Sequence, residues 1–367
     1  MKPFISRRTF CAGTALLPAA TLLLPGCGGG GTIEAVEQPA AGPLRAFAPA
    51  TEAPAQWADV AMRAAALAPF PGLPPHFEAR SFSMAFLAAH DALNAISPVY
   101  ASYLTPLSAP GANADAAVAA AMHDVLVHEM PFAQALLDSE YADALGAIRG
   151  AGSKSQGLAI GQASAAAMIA ARANDGLANV EGPFVEGTTP GAYRFTAPFD
   201  FAAEVHWGDA MRPFGIARAV DFRVAAPYAV ADAAYTADYN EVKSLGAAVG
   251  STRTADQSEL GRFWLESTVD AWLRIALQVA AQRGLTGLPL MRALALIAVA
   301  QVDAYTACIE SKYVYHFWRP ITAIRLGDSD GNPGTMGDPN WASFDPICPP
   351  IPDYPSGHAA SAGAGGL

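Results

Sequence analysis

The sequence has 367 residues, of which 52% are hydrophobic and 15% charged, and its formal net charge is −11. That composition excludes a disordered chain, which lacks the apolar surface to offset chain entropy. It also excludes a nucleic-acid partner, which calls for a basic surface, and it leaves room for one large domain or two ordinary ones.

Residues 1–27 read as an address. Ser6-Arg7-Arg8-Thr9-Phe10 resembles a twin-arginine export signal. The apolar stretch that follows, Ala12 to Leu24, is too short to span a bilayer as a mature helix. Leu24-Pro25-Gly26-Cys27 resembles a lipoprotein cleavage box. Cys27 is therefore a candidate lipidation site, and the expected location is the periplasm or a membrane surface reached through a lipid anchor. The alternative is an ordinary cysteine inside a cleaved signal. Residues 28–53 are rich in Gly, Pro and Ala and read as a flexible linker. The remainder, 54–367, is expected to form one helical domain.

Helical spacing of apolar residues predicts elements from Ala55 to about Phe70, Glu78 to Ile96, Ala114 to Met130, Phe132 to Arg149 and Lys154 to Asn174. Asn113 suits the N-cap of the third. Residues 176–236, dense in Gly, Pro and aromatic residues, break the pattern and predict a long irregular excursion. Helices resume at Ala237 to Val249 and Thr254 to Arg283. The longest apolar run follows Thr286-Gly287 and continues for about eight turns. Arg292, Gln301 and Asp303 argue against a membrane span, and the buried centre of a bundle fits better. No useful β-type alternation and no fixed repeat occur, so the fold class is all-α.

Four cysteines are present, and Cys11 and Cys27 fall in the address. Cys308 and Cys348 remain, far apart and without metal-ligand spacing; a bridge and two separate buried thiols are both open. Asp328-Ser329-Asp330-Gly331-Asn332 looks like the opening of a calcium loop, but Pro333 and Pro339 occupy the places that want glycine and glutamate, so an acidic turn is expected. His123 and His128 sit about 140° apart around a helix, which does not suit a shared metal.

Two stretches carry chemistry. The long helix is expected to end at Arg319, stopped by Pro320. Lys312 and Arg319 are then nearly two full turns apart and share a face, among Tyr313, Tyr315, Phe317 and Trp318. Cations among aromatic residues are often half-buried, and a buried cation needs an anion. The second stretch is Tyr354-Pro355-Ser356-Gly357-His358. A stiff proline-rich segment precedes it, and AASAGAG after it reads as a helix start. Ser356 and Gly357 would then sit at a helix N-terminus, where free N–H groups favour an anion. His358 adds a group that exchanges protons near neutral pH.

Lys, six residues, Arg-Pro, then Pro-Ser-Gly-His resembles the signature of the vanadium-dependent haloperoxidases and of the type 2 phosphatidic acid phosphatase superfamily to which they belong. KYVYHFWRPITAIRLGDSDGNP, DPNW and PPIPDYPSGH resemble the bacterial haloperoxidases throughout, as do AHDALNAI (residues 89–96) and RTADQSELGRFW (residues 253–264). The resemblance covers about residues 55–367 and implies a multi-helix bundle of the haloperoxidase and acid phosphatase type. It implies vanadate as cofactor, or phosphate in the same place, held by Lys312, Arg319, Ser356 and the Gly357 N–H. His358 would be the acid–base group. Hydrogen peroxide, a halide and a small organic acceptor would be the reaction partners. The family's third motif, Ser-Arg, five residues, His, carries the histidine bonded to vanadium, and it does not occur in these residues. The sequence is therefore expected to be truncated, lacking its last helices. Two further readings are an acid phosphatase of the same superfamily and an inactive fragment or lipid-anchored binding protein.

Overall fold

The computed structural model describes residues 52–69, 72–104, 106–177 and 182–366. The stretches read above as an export signal, a lipoprotein cleavage box with Cys27 and, but for its last two residues, a linker lie outside the described residues. Residues 47–367 form one compact unit.

Twelve α-helices are present among the described residues, and no strand beyond two isolated bridges. The first five are α1 (Ala53–Ala65), α2 (Pro75–Ile96), α3 (Ala114–Glu129), α4 (Gln134–Ala147) and α5 (Ala151–Arg172). Asn113 caps α3 by accepting from the Ala116 N–H. α2 is buried nearly all round. Its polar residues have fixed tasks. Asp91 accepts from the Tyr103 and Leu104 amides, and Asn94 accepts from those of Val99 and Tyr100. The AHDALN text thus holds the loop that follows its own helix.

α2, α3 and α5 pack together, and the α3–α5 seam is built of small residues. A Cβ on Gly157 would stand 2.8 Å from the Ala116 methyl, and one on Gly161 2.8 Å from the Ala120 methyl. A buried methyl contributes only about 0.8 kcal/mol, against about 1.5–3 for a large side chain. An alanine-rich seam therefore needs close backbone approach, and the two glycines supply it.

Residues 182–232 are irregular apart from a single turn, α6 (Trp207–Ala210), and a short 3₁₀ segment at Ala219–Phe222. Beyond them come α7 (Ala233–Gly246), α8 (Ala255–Phe263), α9 (Thr268–Arg283), α10 (Gly287–Tyr315), α11 (Pro320–Arg325) and α12 (Gly357–Gly365). The expected helix over Thr254 to Arg283 is in fact two. Thr254 and Gln257 form a capping box at the start of α8, and residues 264–267 make a corner.

α10 is long and apolar enough to cross a membrane, but it lies inside the bundle against α1, α2, α6, α9 and α12. Its buried acids anchor the excursion. Asp303 accepts from the Phe214, Gly215 and Ile216 amides at 2.6–3.0 Å. Glu310, seven residues on and so on the same face, pairs with Arg223. Gly208 of α6 lies so close to the α10 backbone at Glu310 that a Cβ there would collide with it. A second, smaller core gathers Tyr235, Tyr239, Trp318, Ile324 and Trp341 around α7 and α11.

Candidate active site

α10 stops earlier than the sequence suggests. Its last helical residue is Tyr315, and His316 adopts a left-handed backbone at φ 48°. Residues 317–319 then continue outside any helix, with Phe317 in an isolated antiparallel bridge to Ala192 and Arg319 in extended backbone. The excursion grips one side of this run: the Tyr193 amide donates to the His316 carbonyl, and the Trp318 amide to the Gly191 carbonyl. On the other side the Asp353 amide donates to the Phe317 carbonyl. Arg319 is the N-cap of α11 with extended backbone, so it is not on the helix face of Lys312. Pro320 opens α11 instead of ending α10, the usual place for a proline.

The two cations nevertheless meet on one loop. Lys312 Nζ donates to the Pro352 and Asp353 carbonyls at 2.8 and 2.6 Å. Arg319 Nε donates to the Ile351 carbonyl at 2.6 Å, and its guanidinium pairs with the Asp353 carboxylate at 3.2 Å. Lys312 is only 4% exposed. Burial, with help from the Arg319 charge, pushes its pKa down to about 8.

The residues before Lys312 on the same helix face continue the seam. Cys308 Sγ lies 3.5 Å from the Pro355 carbonyl, Tyr305 packs under Gly357, and Gln301 Nε2 donates to Ser361 Oγ at 3.2 Å. Thus Gln301, Tyr305, Cys308 and Lys312 run antiparallel to Ser361, Gly357, Pro355 and Asp353. Burial raises the Cys308 thiol pKa, against the pull of Lys312 and Arg319. Cys308 and Cys348 are both free thiols.

Ser356 is the N-cap of α12, and its Oγ accepts from the Ala359 amide. Its hydroxyl proton and the first amides of α12 are the groups a helix start leaves free. His358 Nε2 lies 2.9 Å from the Trp264 carbonyl. A carbonyl only accepts, so Nε2 is the donor in this contact. Lys312 and Arg319 therefore share the loop that leads into Ser356 and Gly357, while His358 faces the α8–α9 corner.

Reasoning from sequence missed Tyr305, Cys308 and the Trp264 carbonyl. Counting back from Lys312 by helical spacing could have found the first two; a backbone carbonyl leaves no sequence signal. It also missed Glu204, a buried carboxylate with left-handed backbone at φ 59° that reaches to 3.4 Å from His76 Nε2. The excursion delivers it close enough to Lys312 for their charges to interact.

The segment that carries this seam also has recognisable relatives. The family model of the VCPO second helical-bundle domain matches residues 292–366, from α10 through α12. The vanadium chloroperoxidase of Curvularia inaequalis is 39% identical over 82 residues. Residues 292–366 are thus similar in sequence to a domain of the vanadium chloroperoxidases. That match spans 20% of this chain and 13% of the chloroperoxidase. The fold likeness is broader. A bacterial vanadium-dependent iodoperoxidase superposes with a TM-score of 0.69 at 21% identity, covering 85% of this chain and 79% of its own. A holo-type bacterial vanadium-dependent chloroperoxidase gives 0.65 at 18%, covering 80% and 75%. The haloperoxidase fold therefore extends well beyond the matched segment.

The other motif candidates have structural tasks. His123 lies between Asp124 and Asp138 and stacks on Tyr141, while His128 pairs with Glu129. Asp330 accepts from the Asn332 amide and the Thr335 hydroxyl, which makes 328–332 a tied turn.

Proposed function

We propose that the protein is a vanadate-dependent haloperoxidase, in which hydrogen peroxide oxidises a halide and a small organic molecule is the final acceptor. The observation that carries this reading is the buried Lys312 ammonium. Two of its three protons go to carbonyl oxygens, and the third is left for an oxyanion beside Arg319.

The donors present fit such an anion. The third Lys312 proton, the Nη2 of Arg319, the Ser356 hydroxyl and the Gly357 N–H would hold its oxygens. When bound, vanadate supplies a Lewis-acidic centre at which peroxide becomes electrophilic toward halide. Lys312 and Arg319 stabilise charge that shifts among the oxygens, and they do so strongly because Lys312 is buried in a low dielectric. His358, with its Nε2 proton given to Trp264, offers Nδ1 to accept a proton and return it. The family's third motif is not among the 367 residues, so no side chain of this chain is assigned to direct bonding with vanadium.

The test is titration of the purified protein with vanadate, followed by ⁵¹V NMR. Bromide oxidation with peroxide is then measured against hydrolysis of p-nitrophenyl phosphate. Vanadate binding that Lys312→Met weakens about a hundredfold, together with bromide oxidation by the unsubstituted protein, supports the reading. Hydrolysis without oxidation shifts it to an acid phosphatase, since phosphate fits the same donors. A folded chain that takes up neither anion is a binding protein or an inactive fragment. We further place the protein outside the cytoplasm, on the strength of Ser6-Arg7-Arg8-Thr9-Phe10. Replacing Arg7 and Arg8 with lysine should leave it in the cytoplasmic fraction.

A further inference from the structure

A buried acidic pair near Tyr305 has no part in the chemistry above. Glu78, in the first turn of α2, is 3% exposed. Asp270, in the first turn of α9, is close enough for the two carboxyl groups to perturb each other, and its Oδ1 is buried with no hydrogen-bond partner among the described residues. The Ser267 hydroxyl donates to Glu78 Oε2. Two carboxyl groups this close, out of water, cannot both ionise cheaply and hold a proton between them. Burial, and then the Asp270 charge, raises the Glu78 pKa well above the usual carboxylate range. Burial likewise brings Asp270 up to about 6.

Ser267 is the last residue of the corner Trp264-Leu265-Glu266-Ser267 between α8 and α9. Trp264, the first, presents the carbonyl that takes the Nε2 proton of His358. The corner is therefore tied at one end to the acidic pair and at the other to the imidazole. We propose that Glu78 and Asp270 are positioning residues for His358: their shared proton holds the corner against α2 and so keeps the Trp264 carbonyl on the imidazole. The inference rests on His358 being the acid–base group of the function proposed above.

The charged and titratable groups around the pair leave the shared proton as its main restraint. Glu266 and Arg274 pair with each other beside it. Tyr305 approaches from α10, with its hydroxyl bonded to Thr268. His76, two residues before Glu78, is kept neutral by burial, which lowers its pKa to about 3. None of them supplies a cation directly to both carboxyls. Once the last shared proton leaves, at alkaline pH, two buried anions repel and the corner is released.

The test reads the His358 tautomer by ¹⁵N NMR across pH in the full chain, together with vanadate affinity. In the wild type the Nε2–H tautomer should dominate at neutral pH and be lost at alkaline pH. Glu78→Gln donates an amide hydrogen bond that cannot titrate, so the tautomer should then persist at alkaline pH. Glu78→Ala should mix the tautomers at every pH and weaken vanadate binding by about tenfold to a hundredfold, as loss of a supporting partner commonly does. An unchanged tautomer in Glu78→Ala, or an unaltered alkaline transition in Glu78→Gln, overturns the proposal. Circular dichroism separates these results from simple unfolding, and Asp270→Asn provides the second, near-isosteric check. If the tautomer responds as stated but the wild type binds no vanadate, the positioning stands and the haloperoxidase reading fails.

Discussion

The seam between α3 and α5 and the seam between α10 and residues 352–361 both bring a long helix against its neighbour, but they are made of opposite materials. The first is methyl on glycine, with backbones in near contact and no polar group spent. The second alternates amide, phenol, thiol and ammonium against hydroxyl, glycine and carbonyls. A dry seam serves only packing. A polar seam with a buried ammonium costs stability, and the anion proposed above would offset that cost.

The strongest way to break the comparison is on the dry side. Gly161→Leu drives a side chain into the Ala117 backbone and the Ala120 methyl. Neither can yield, so stability in urea should fall by at least about 3 kcal/mol, at or beyond the usual cost of overpacking. A normal denaturation midpoint would mean that the seam is looser than described.

Lys312→Met should act in the opposite direction. Vanadate binding should weaken about a hundredfold, or about 2.7 kcal/mol, while the unliganded chain becomes more stable at pH 7. The sign follows from linkage. The Lys312 pKa is lowered in the folded state, to about 8. At neutral pH the fold therefore carries a buried charge that the unfolded chain holds in water. The penalty is about 3 kcal/mol. It disappears as pH rises from about 8 toward the unfolded lysine value near 10.4, so the advantage of methionine should shrink over that window. Parallel melting of the two proteins across pH checks this.

Asp303→Ala sharpens the role of the excursion. Three backbone amides lose their acceptor, so a loss of about 2 kcal/mol is expected, together with faster proteolysis around residues 214–216. The smallest effect expected is that of Tyr305→Phe. It removes the bond to Thr268 and should cost about 1 kcal/mol, with vanadate affinity within about twofold of wild type because the ring still packs under Gly357. A large loss of affinity would move Tyr305 from support to direct contact.

Much of the fold was legible in the sequence. The Asn113 cap, the helix from Ala114, the irregular stretch and the eight-turn helix all follow from local rules of spacing and capping. The break at 264–267 was not legible, because apolar spacing continues across it and a corner is set by what it packs on. The end of α10 was misplaced for a related reason. Pro320 limits how far the helix can run, but the excursion takes up the His316 carbonyl and the Trp318 amide earlier. For the site, Lys312, Arg319 and the Ser356–His358 run stand out by residue type and motif. The grouping of Lys312 and Arg319 around the 351–353 carbonyls does not, because it depends on main-chain atoms that every sequence shares. Glu204 was invisible because only the excursion's path brings it to His76 and Lys312.

The antiparallel seam gives a bound anion a second office, as a clasp. Residues 312 and 319 on one stretch of chain and 356–357 on another would both touch the proposed oxyanion, which would then close a ring between the end of α10 and the start of α12. At a hundred times its dissociation constant such a ligand adds about 2.7 kcal/mol to the folded state. Cofactor supply would then set how long each molecule survives proteases as well as how fast it turns over, and the amides of α12 should be the first to exchange deuterium when the supply runs out.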